Sequence, residues 1–105
     1  MAYTKEFIKK IIQLGMIAYD IDRIVIICDE VPESELRIDF EEEGSKIHDA
    51  YKKGQYLAEF NIDMKLMDLA GNGDLKAIDR LKQRKEERKI LDKKKRKKKK
   101  PKLIL

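Results

Sequence analysis

The plainest chemistry in this 105-residue chain lies in the cations near its C-terminus. Lysine or arginine fills every position from Lys93 to Lys100, and Lys102 follows Pro101. Such a run displaces condensed counterions from a polyphosphate and gives strong, salt-sensitive binding that is blind to base sequence. The alternatives are a solubilising tail or, in a eukaryotic chain, a nuclear-import signal. The density of charge favours a nucleic acid or another polyanion as the partner.

Further cations precede this run on what should be the last helix of the chain. No arginine pattern or interleaved aromatic residue in the run indicates contact with base edges, so the predicted partner is the phosphate backbone of double-stranded DNA. Arg37, far upstream, is an isolated candidate, with Arg23 as a minor one. The predicted nucleic-acid contacts are Lys82, Arg84, Lys85, Arg88, Lys89, Lys93, Lys94, Lys95, Arg96, Lys97, Lys98, Lys99, Lys100, Lys102 and Arg37.

The charge is unevenly distributed along the chain. Residues 29–49 contain nine acidic and two basic residues, whereas residues 80–102 contain fifteen basic and three acidic ones. An acidic middle and a basic end can attract each other, within one chain or between subunits. The net charge of +5 is therefore the sum of an acidic segment and a basic segment.

Composition and length set the class of protein. With 42% apolar and 43% charged residues, the chain suits one small domain with a modest core. The single cysteine, Cys28, excludes an internal disulfide framework and fits a reducing compartment. The longest uncharged apolar run, Ile24 to Cys28, is too short to cross a bilayer, and the N-terminus is too charged for a signal peptide. These features predict a non-secreted, cytoplasmic chain that makes no contact with a membrane.

Apolar residues recur at spacings of three and four, which is typical of α-helices, and no convincing period-two alternation occurs. Side chains suited to N-caps precede four of the helical segments: Thr4, Asp20, Ser45 and Asp74. Pro32 suits the first turn of another helix, predicted from Glu33 to about Glu43. One segment, "RIVII" at residues 23–27, is rich in β-branched residues and could form a short buried strand, but no partner strand is visible. We therefore predict an all-α bundle of about five helices.

Glycines divide these predicted helices. Gly15 is predicted to end the first helix, and Gly54 to close or bend the segment that begins after Ser45. A longer helix, Gln55 to Ala70, is apolar on two sides, which predicts central burial or contact with another subunit. The predicted oligomer contacts on this helix are Leu57, Phe60, Met64 and Met67.

The predicted organisation has three parts. Residues 1–44 form a helix-turn-helix-like N-terminal part, and residues 45–91 form a helical hairpin and oligomerisation part of the same domain. Residues 92–105 form a basic tail, predicted to be disordered because it is of low complexity and repels itself.

A second pattern extends from residue 47 to residue 84. It reads I-x-x-A-Y-x-x-G, then three helix-packing residues, then G-D-x-x-A-I-x-x-L; the matching residues are Ile47, Ala50, Tyr51, Gly54, Ile62, Leu66, Ala70, Gly73, Asp74, Ala77, Ile78 and Leu81. This pattern resembles the helical region of bacteriophage terminase small subunits and related phage helix-turn-helix DNA-binding proteins. The resemblance implies a non-catalytic protein that binds viral DNA, assembles as a ring-like homo-oligomer and delivers DNA to a large subunit carrying the ATPase and nuclease.

The family resemblance also implies an N-terminal helix-turn-helix, here residues 20–28, 29–31 and 33–40, whose second helix would lie in the major groove. This chain departs from the family's helix-turn-helix pattern in two ways. The turn has no glycine, and the second helix, "PESELRIDFEEE", is acidic apart from Arg37 and would be repelled by phosphates. We favour a helix that does not contact DNA. The alternative is that Arg37 and Ser34 make limited contacts in a ring of many copies.

No pattern in the chain indicates an enzyme, a cofactor or a metal site. His48 lies beside Asp49, but no nucleophile or second base accompanies them. The alternatives to DNA packaging are two. One is a helical structural or interaction protein of a phage, whose basic tail contacts nucleic acid or an acidic neighbour. The other is a small dimeric helix-turn-helix transcriptional regulator.

Overall fold

The computed structural model describes residues 2–99 and the side chains of residues 2–95, and these residues form α-helices and no strand. The all-α prediction is therefore confirmed, and the "RIVII" segment is helical. The chain divides after Asn61 into two compact units, Met1–Asn61 and Ile62–Leu105, called unit 1 and unit 2 below. The helices are α1 (Lys5–Met16), α2 (Ile21–Ile27), α3 (Glu33–Glu41), α4 (Lys46–Gly71) and α5 (Leu75–Lys99).

All four predicted N-caps are confirmed. In each, a side-chain oxygen accepts a hydrogen bond from the backbone N–H three residues further along, at 3.0 Å. Each bond satisfies a backbone donor that the first turn of a helix leaves without a partner. The donor residues are Phe7 for Thr4, Arg23 for Asp20, His48 for Ser45 and Ala77 for Asp74.

Unit 1 is built around a single apolar core. The helices α1, α2 and α3 and the first turns of α4 each contribute one fully buried aliphatic side chain: Ile11, Ile24, Leu36 and Ile47. Burying each such side chain stabilises the fold by about 1.5–3 kcal/mol. Cys28 is also fully buried, and burial raises the pKa of its thiol. Helices α2 and α3 pack against each other and are joined by residues 28–32.

One prediction about glycine is wrong. Gly54 was expected to close or bend a helix, yet α4 passes through it without interruption for 26 residues. Gly54 is buried and faces the backbone of α1 at Ile12, so it serves the close approach of two helices. Tertiary packing offsets its local cost of about 1 kcal/mol relative to alanine. Gly15 has the same role in α1, which ends one residue later at Met16.

Unit 2 is a hairpin formed by the end of α4 and by α5. The turn between them uses Gly73 at φ 90°, and the N–H of Asp74 donates to the carbonyl oxygen of Leu69 at 3.1 Å. Helix α5 continues to Lys99, so residues 92–99 are helical where the sequence predicted a disordered tail. Lysine and arginine are good helix formers and extend a helix that is already nucleated. Residues 100–105 of the predicted tail lie outside the described residues.

Candidate nucleic-acid interface

The inner face of α5 is set by spacings of three and four residues. Ala77 is buried, and Leu81, Arg84 and Arg88 are half-buried along the same side of the helix. Successive steps of four, three and four residues keep these side chains on one face. Two of the predicted phosphate contacts, Arg84 and Arg88, therefore lie toward the inside of the hairpin.

Asp63 of α4 holds both arginines. Its Oδ1 accepts from Nε of Arg84 and its Oδ2 accepts from Nη2 of Arg88, each at 2.7 Å. Only 22% of the Asp63 side chain and 15% of the Arg84 side chain are exposed. Burial acts to raise the pKa of Asp63, but the two arginine hydrogen bonds outweigh it and lower the pKa. The arginines therefore fasten α5 to α4, and the single Asp63 carboxylate offsets one of their two positive charges.

The lysines of α5 are placed differently. Lys82, Lys85, Lys89 and Lys93 are all exposed, and we call them the lysine stripe. At 100° per residue they fall within about a quarter of the helix circumference, and they span about 16 Å of its axis. The Nζ atom of Lys89 lies 3.7 Å from Oε1 of Glu86, and 70% of each side chain is exposed. Such a surface ion pair contributes little to folding stability. The stripe is a linear array of solvated positive charges.

The remaining predicted tail contacts are only partly described. Lys94 and Lys95 are exposed on α5 beyond the C-terminal end of the stripe. Residues 96–99 continue the helical backbone, which covers the predicted contacts Arg96, Lys97, Lys98 and Lys99 without placing their side chains. Lys100 and Lys102 lie outside the described residues. The side chains of the basic segment are thus described as far as Lys95.

Arg37, the isolated candidate, lies between two carboxylates. Its Nη1 is 2.9 Å from Oδ1 of Asp22, and its Nε is 2.9 Å from Oε2 of Glu33. These hydrogen bonds raise the pKa of Arg37, Glu33 contributing most. A phosphate would have to compete with both acids for the guanidinium group. The minor candidate, Arg23, lies over the ring of Tyr19, 5.6 Å from its centroid.

The four predicted oligomer contacts are all exposed on α4. Leu57 and Phe60 belong to unit 1, with 38% and 58% exposure, and Met64 and Met67 belong to unit 2, with 38% and 53%. Exposed apolar side chains at such spacing are typical of a helix that has a partner. Their role in assembly stays a prediction.

Other chemistry suggested by single residues is accounted for by packing. The ring nitrogen Nδ1 of His48 donates to the carbonyl oxygen of Phe40 at 2.8 Å, which joins the start of α4 to α3. Among the described residues, no group of three or more histidine, cysteine or acidic side chains is placed to hold a metal ion. No helix within the described part of the chain combines the length and apolar character needed to cross a membrane.

No protein-family model matches the chain, and neither a curated protein nor a solved structure matches it. The features of the chain that bear on its function are therefore the chemistry of the described residues and the sequence resemblance of residues 47–84.

Proposed function

We propose that this protein is a non-catalytic DNA-binding protein that holds the phosphate backbone of double-stranded DNA with the lysine stripe of α5. The observation that supports it most is the exposure of all four stripe lysines on one face of a helix. A stripe of about 16 Å runs beside about five phosphates of one DNA strand. Lysine offers a point charge rather than a planar fork, which suits phosphate contact without base selection.

The hairpin gives the stripe a rigid support. The Asp74 cap and the glycine turn fix the start of α5, and the Asp63 ion pairs fix its middle against α4. Cations held on a rigid helix lose less conformational freedom on binding than cations on a flexible chain. Lys94 and Lys95, which follow Lys93 on α5, would add phosphate contacts in the same direction along the helix.

The finer proposal is that the protein is the small subunit of a phage DNA-packaging terminase, acting in the host cytoplasm. The resemblance of residues 47–84 supports it, as do the exposed apolar residues of α4, which suit a ring-like homo-oligomer. In that role it would bind viral DNA and pass it to a large subunit that supplies the ATPase and nuclease. The capture of Arg37 by Asp22 and Glu33 favours this role over a dimeric transcriptional regulator, which would need cations on α3 to enter the major groove.

A structural or interaction protein is the second candidate. The glutamates of α3, Glu33, Glu35 and Glu41, are exposed on unit 1, which would allow contact with a basic partner without DNA. The two candidates differ in what the lysine stripe does. Only the DNA-binding protein needs the stripe for affinity to a duplex.

The test compares two variants that lose the same charge. One carries Lys82→Gln, Lys85→Gln, Lys89→Gln and Lys93→Gln; the control carries Lys5→Gln, Lys9→Gln, Lys65→Gln and Lys76→Gln, all exposed positions outside the stripe. Fluorescence anisotropy with a short mixed-sequence duplex gives the affinity at several salt concentrations. We expect the slope of log affinity against log salt to fall by about 3.5 in the stripe variant. An equal reduction of this slope in the stripe variant and in the control would contradict the proposal.

A further inference from the structure

Unit 1 carries an apolar groove between α1 and the first half of α4. Ile8 and Ile12 of α1 line it opposite Ala50 of α4, and a neighbouring depression extends along α4 to Leu57 and Phe60. Asp49 and Lys53 line both depressions, so the two adjoin each other. Phe60 remains 58% exposed in the groove. An exposed apolar strip of this kind is typical of a surface that receives another helix.

The rim of this groove, which we call the α1–α4 groove, is mainly positive. Lys46, Lys52 and Lys53 line it, with Asp49 as the single acid. Among the side chains that the structure describes, these three lysines make no ion pair with a carboxylate. The groove therefore suits an apolar side chain that is surrounded by acidic ones.

The outer face of α3 has that composition. Leu36 turns inward and is fully buried, whereas Ile38 is 65% exposed. The positions three and four residues from Ile38 are its nearest neighbours on the helix surface. Three of those four positions are glutamates, and the fourth is serine: Glu35, Glu41, Glu42 and Ser34. We call Ile38 and the three glutamates the α3 knob.

We propose that the α3 knob of one copy of this chain docks in the α1–α4 groove of a second copy. Ile38 would cover the apolar floor near Leu57 and Phe60, and the glutamates would meet the lysine rim. Leu36 anchors α3 in the core of unit 1, and no residue of α3 lines either depression, so the α3 knob does not occupy the groove of its own chain. The complementary partner is therefore another molecule that carries the same groove.

The two docking surfaces differ, so the contact is heterologous. Each added copy leaves one α3 knob and one α1–α4 groove unoccupied, and such contacts close into a ring or continue as a filament. This contact would provide the assembly step of the proposed function. Its biological purpose rests on that function, whereas the contact itself does not. Because the interface is small and charged, the association should be weak and should weaken further with salt.

The test mixes two variants that are each defective in one surface. Ile38→Asp damages the α3 knob, and Phe60→Asp damages the groove; both positions are exposed, so the fold should survive. Each variant alone should be monomeric by sedimentation velocity without DNA. Their mixture should form a one-to-one dimer, because one chain keeps the groove and the other keeps the α3 knob. The matched control is Ile26→Asp on α2, which is 78% exposed, lies outside both surfaces and should self-associate like the wild type.

Three results would overturn the proposed contact: a monomeric wild type at high protein concentration, self-association of either variant alone, or a mixture that stays monomeric. The last result, with an associating wild type, would indicate a symmetric contact through like surfaces. Circular dichroism confirms that each variant remains helical. DNA affinity is measured separately with Ile38→Asp, whose lysine stripe is intact. Failure of that variant and of the wild type to bind DNA would overturn the proposed function while leaving the docking result standing.

Discussion

Gly15 of α1 and Gly54 of α4 lie where the backbones of the two helices come too close for a side chain between them. A Cβ atom on Gly15 would lie 2.2 Å from the carbonyl oxygen of Tyr51, and one on Gly54 would lie 2.0 Å from that of Ile12. Both obstacles are backbone atoms, which cannot rotate out of the way as a side chain can. Any side chain at either position must therefore push the helices apart.

We expect Gly15→Ala or Gly54→Ala to destabilise the protein by about 3 kcal/mol or more, because overpacking here moves a whole helix. The measurement is the free energy of unfolding from urea denaturation. Gly71→Ala is the control, since Gly71 lies in α4 with nothing within 4 Å of an added Cβ. It should stabilise by about 0.5–1 kcal/mol through helix propensity. Similar losses in all three variants would contradict the assignment.

The helix starts were predictable because an N-cap is a local device. Thr4, Asp20 and Ser45 each act on a backbone donor three residues away, so the sequence around each residue contains all the required information. The role of Gly54 was not local. It depends on α1, about forty positions earlier in the chain, and glycine's preference for turns pointed to a helix end instead.

The ion pairs of Asp63 with Arg84 and Arg88 are likewise not a local feature of the sequence, although the spacing of these residues indicates them. Asp63 and Arg84 lie ten and eleven residues on either side of Gly73, the centre of the predicted turn. An antiparallel hairpin brings such equidistant residues together. The C-terminal extent of α5 is hard to predict from sequence, because the mutual repulsion of the lysines favours disorder whereas their helix propensity favours a longer helix.

Two helix ends use the same turn with different residues. After α1, the N–H groups of Ala18 and Tyr19 donate to the carbonyls of Gly15 and Leu14, each at 3.1 Å. After α4, Gly73 and Asp74 make the equivalent bonds. The residue at the centre of the turn has positive φ in both, 56° for Ala18 and 90° for Gly73. Only glycine adopts this conformation without a steric cost of about 1–2 kcal/mol.

We therefore expect Ala18→Gly to stabilise the protein by about 0.5–1 kcal/mol, after the greater freedom of glycine in the unfolded chain is subtracted. Gly73→Ala should destabilise by about 1 kcal/mol. Thermal unfolding followed by circular dichroism gives both shifts. Ala58→Gly, inside α4, is the matched control and should lower stability by about 1 kcal/mol. A destabilised Ala18→Gly variant would show that the turn does not strain Ala18.

The Asp63 ion pairs make the stability of the hairpin depend on pH. The pKa of Asp63 is lowered in the folded state, below its unfolded value of about 3.9. The stabilisation is therefore complete at pH values well above 4 and is lost as the pH falls through the lower folded pKa. Asp63→Asn should lower stability by about 2 kcal/mol at pH 7, less than for a fully buried pair because Arg88 is 40% exposed.

The difference in unfolding free energy between the wild type and Asp63→Asn should shrink as the pH falls from about 5 to about 2, because the wild type loses the same interaction by protonation. Asp79→Asn, at an exposed position on α5, is the control and should change the unfolding free energy by less than about 0.5 kcal/mol at pH 7. A constant gap for Asp63→Asn would mean that the carboxylate charge does not fasten the two helices.

Arg84 and Lys85 are adjacent cations with opposite expected roles. Arg84→Gln should lower the free energy of unfolding, because Asp63 then keeps only its bond to Arg88, while the salt dependence of DNA binding stays close to that of the wild type. Lys85→Gln should leave stability within about 0.5 kcal/mol, because an exposed lysine contributes little to folding. It should reduce the slope of log affinity against log salt by about 1, because one phosphate contact is lost.

The comparison is controlled internally, since both substitutions remove one positive charge at neighbouring positions of the same helix. Urea unfolding and anisotropy titrations on the two variants separate the effects. A general electrostatic attraction between the protein and DNA would lower the salt dependence equally in both. If Arg84→Gln lost the full slope of one phosphate contact while remaining as stable as the wild type, Arg84 would be a DNA contact and the ion pair with Asp63 would be incidental.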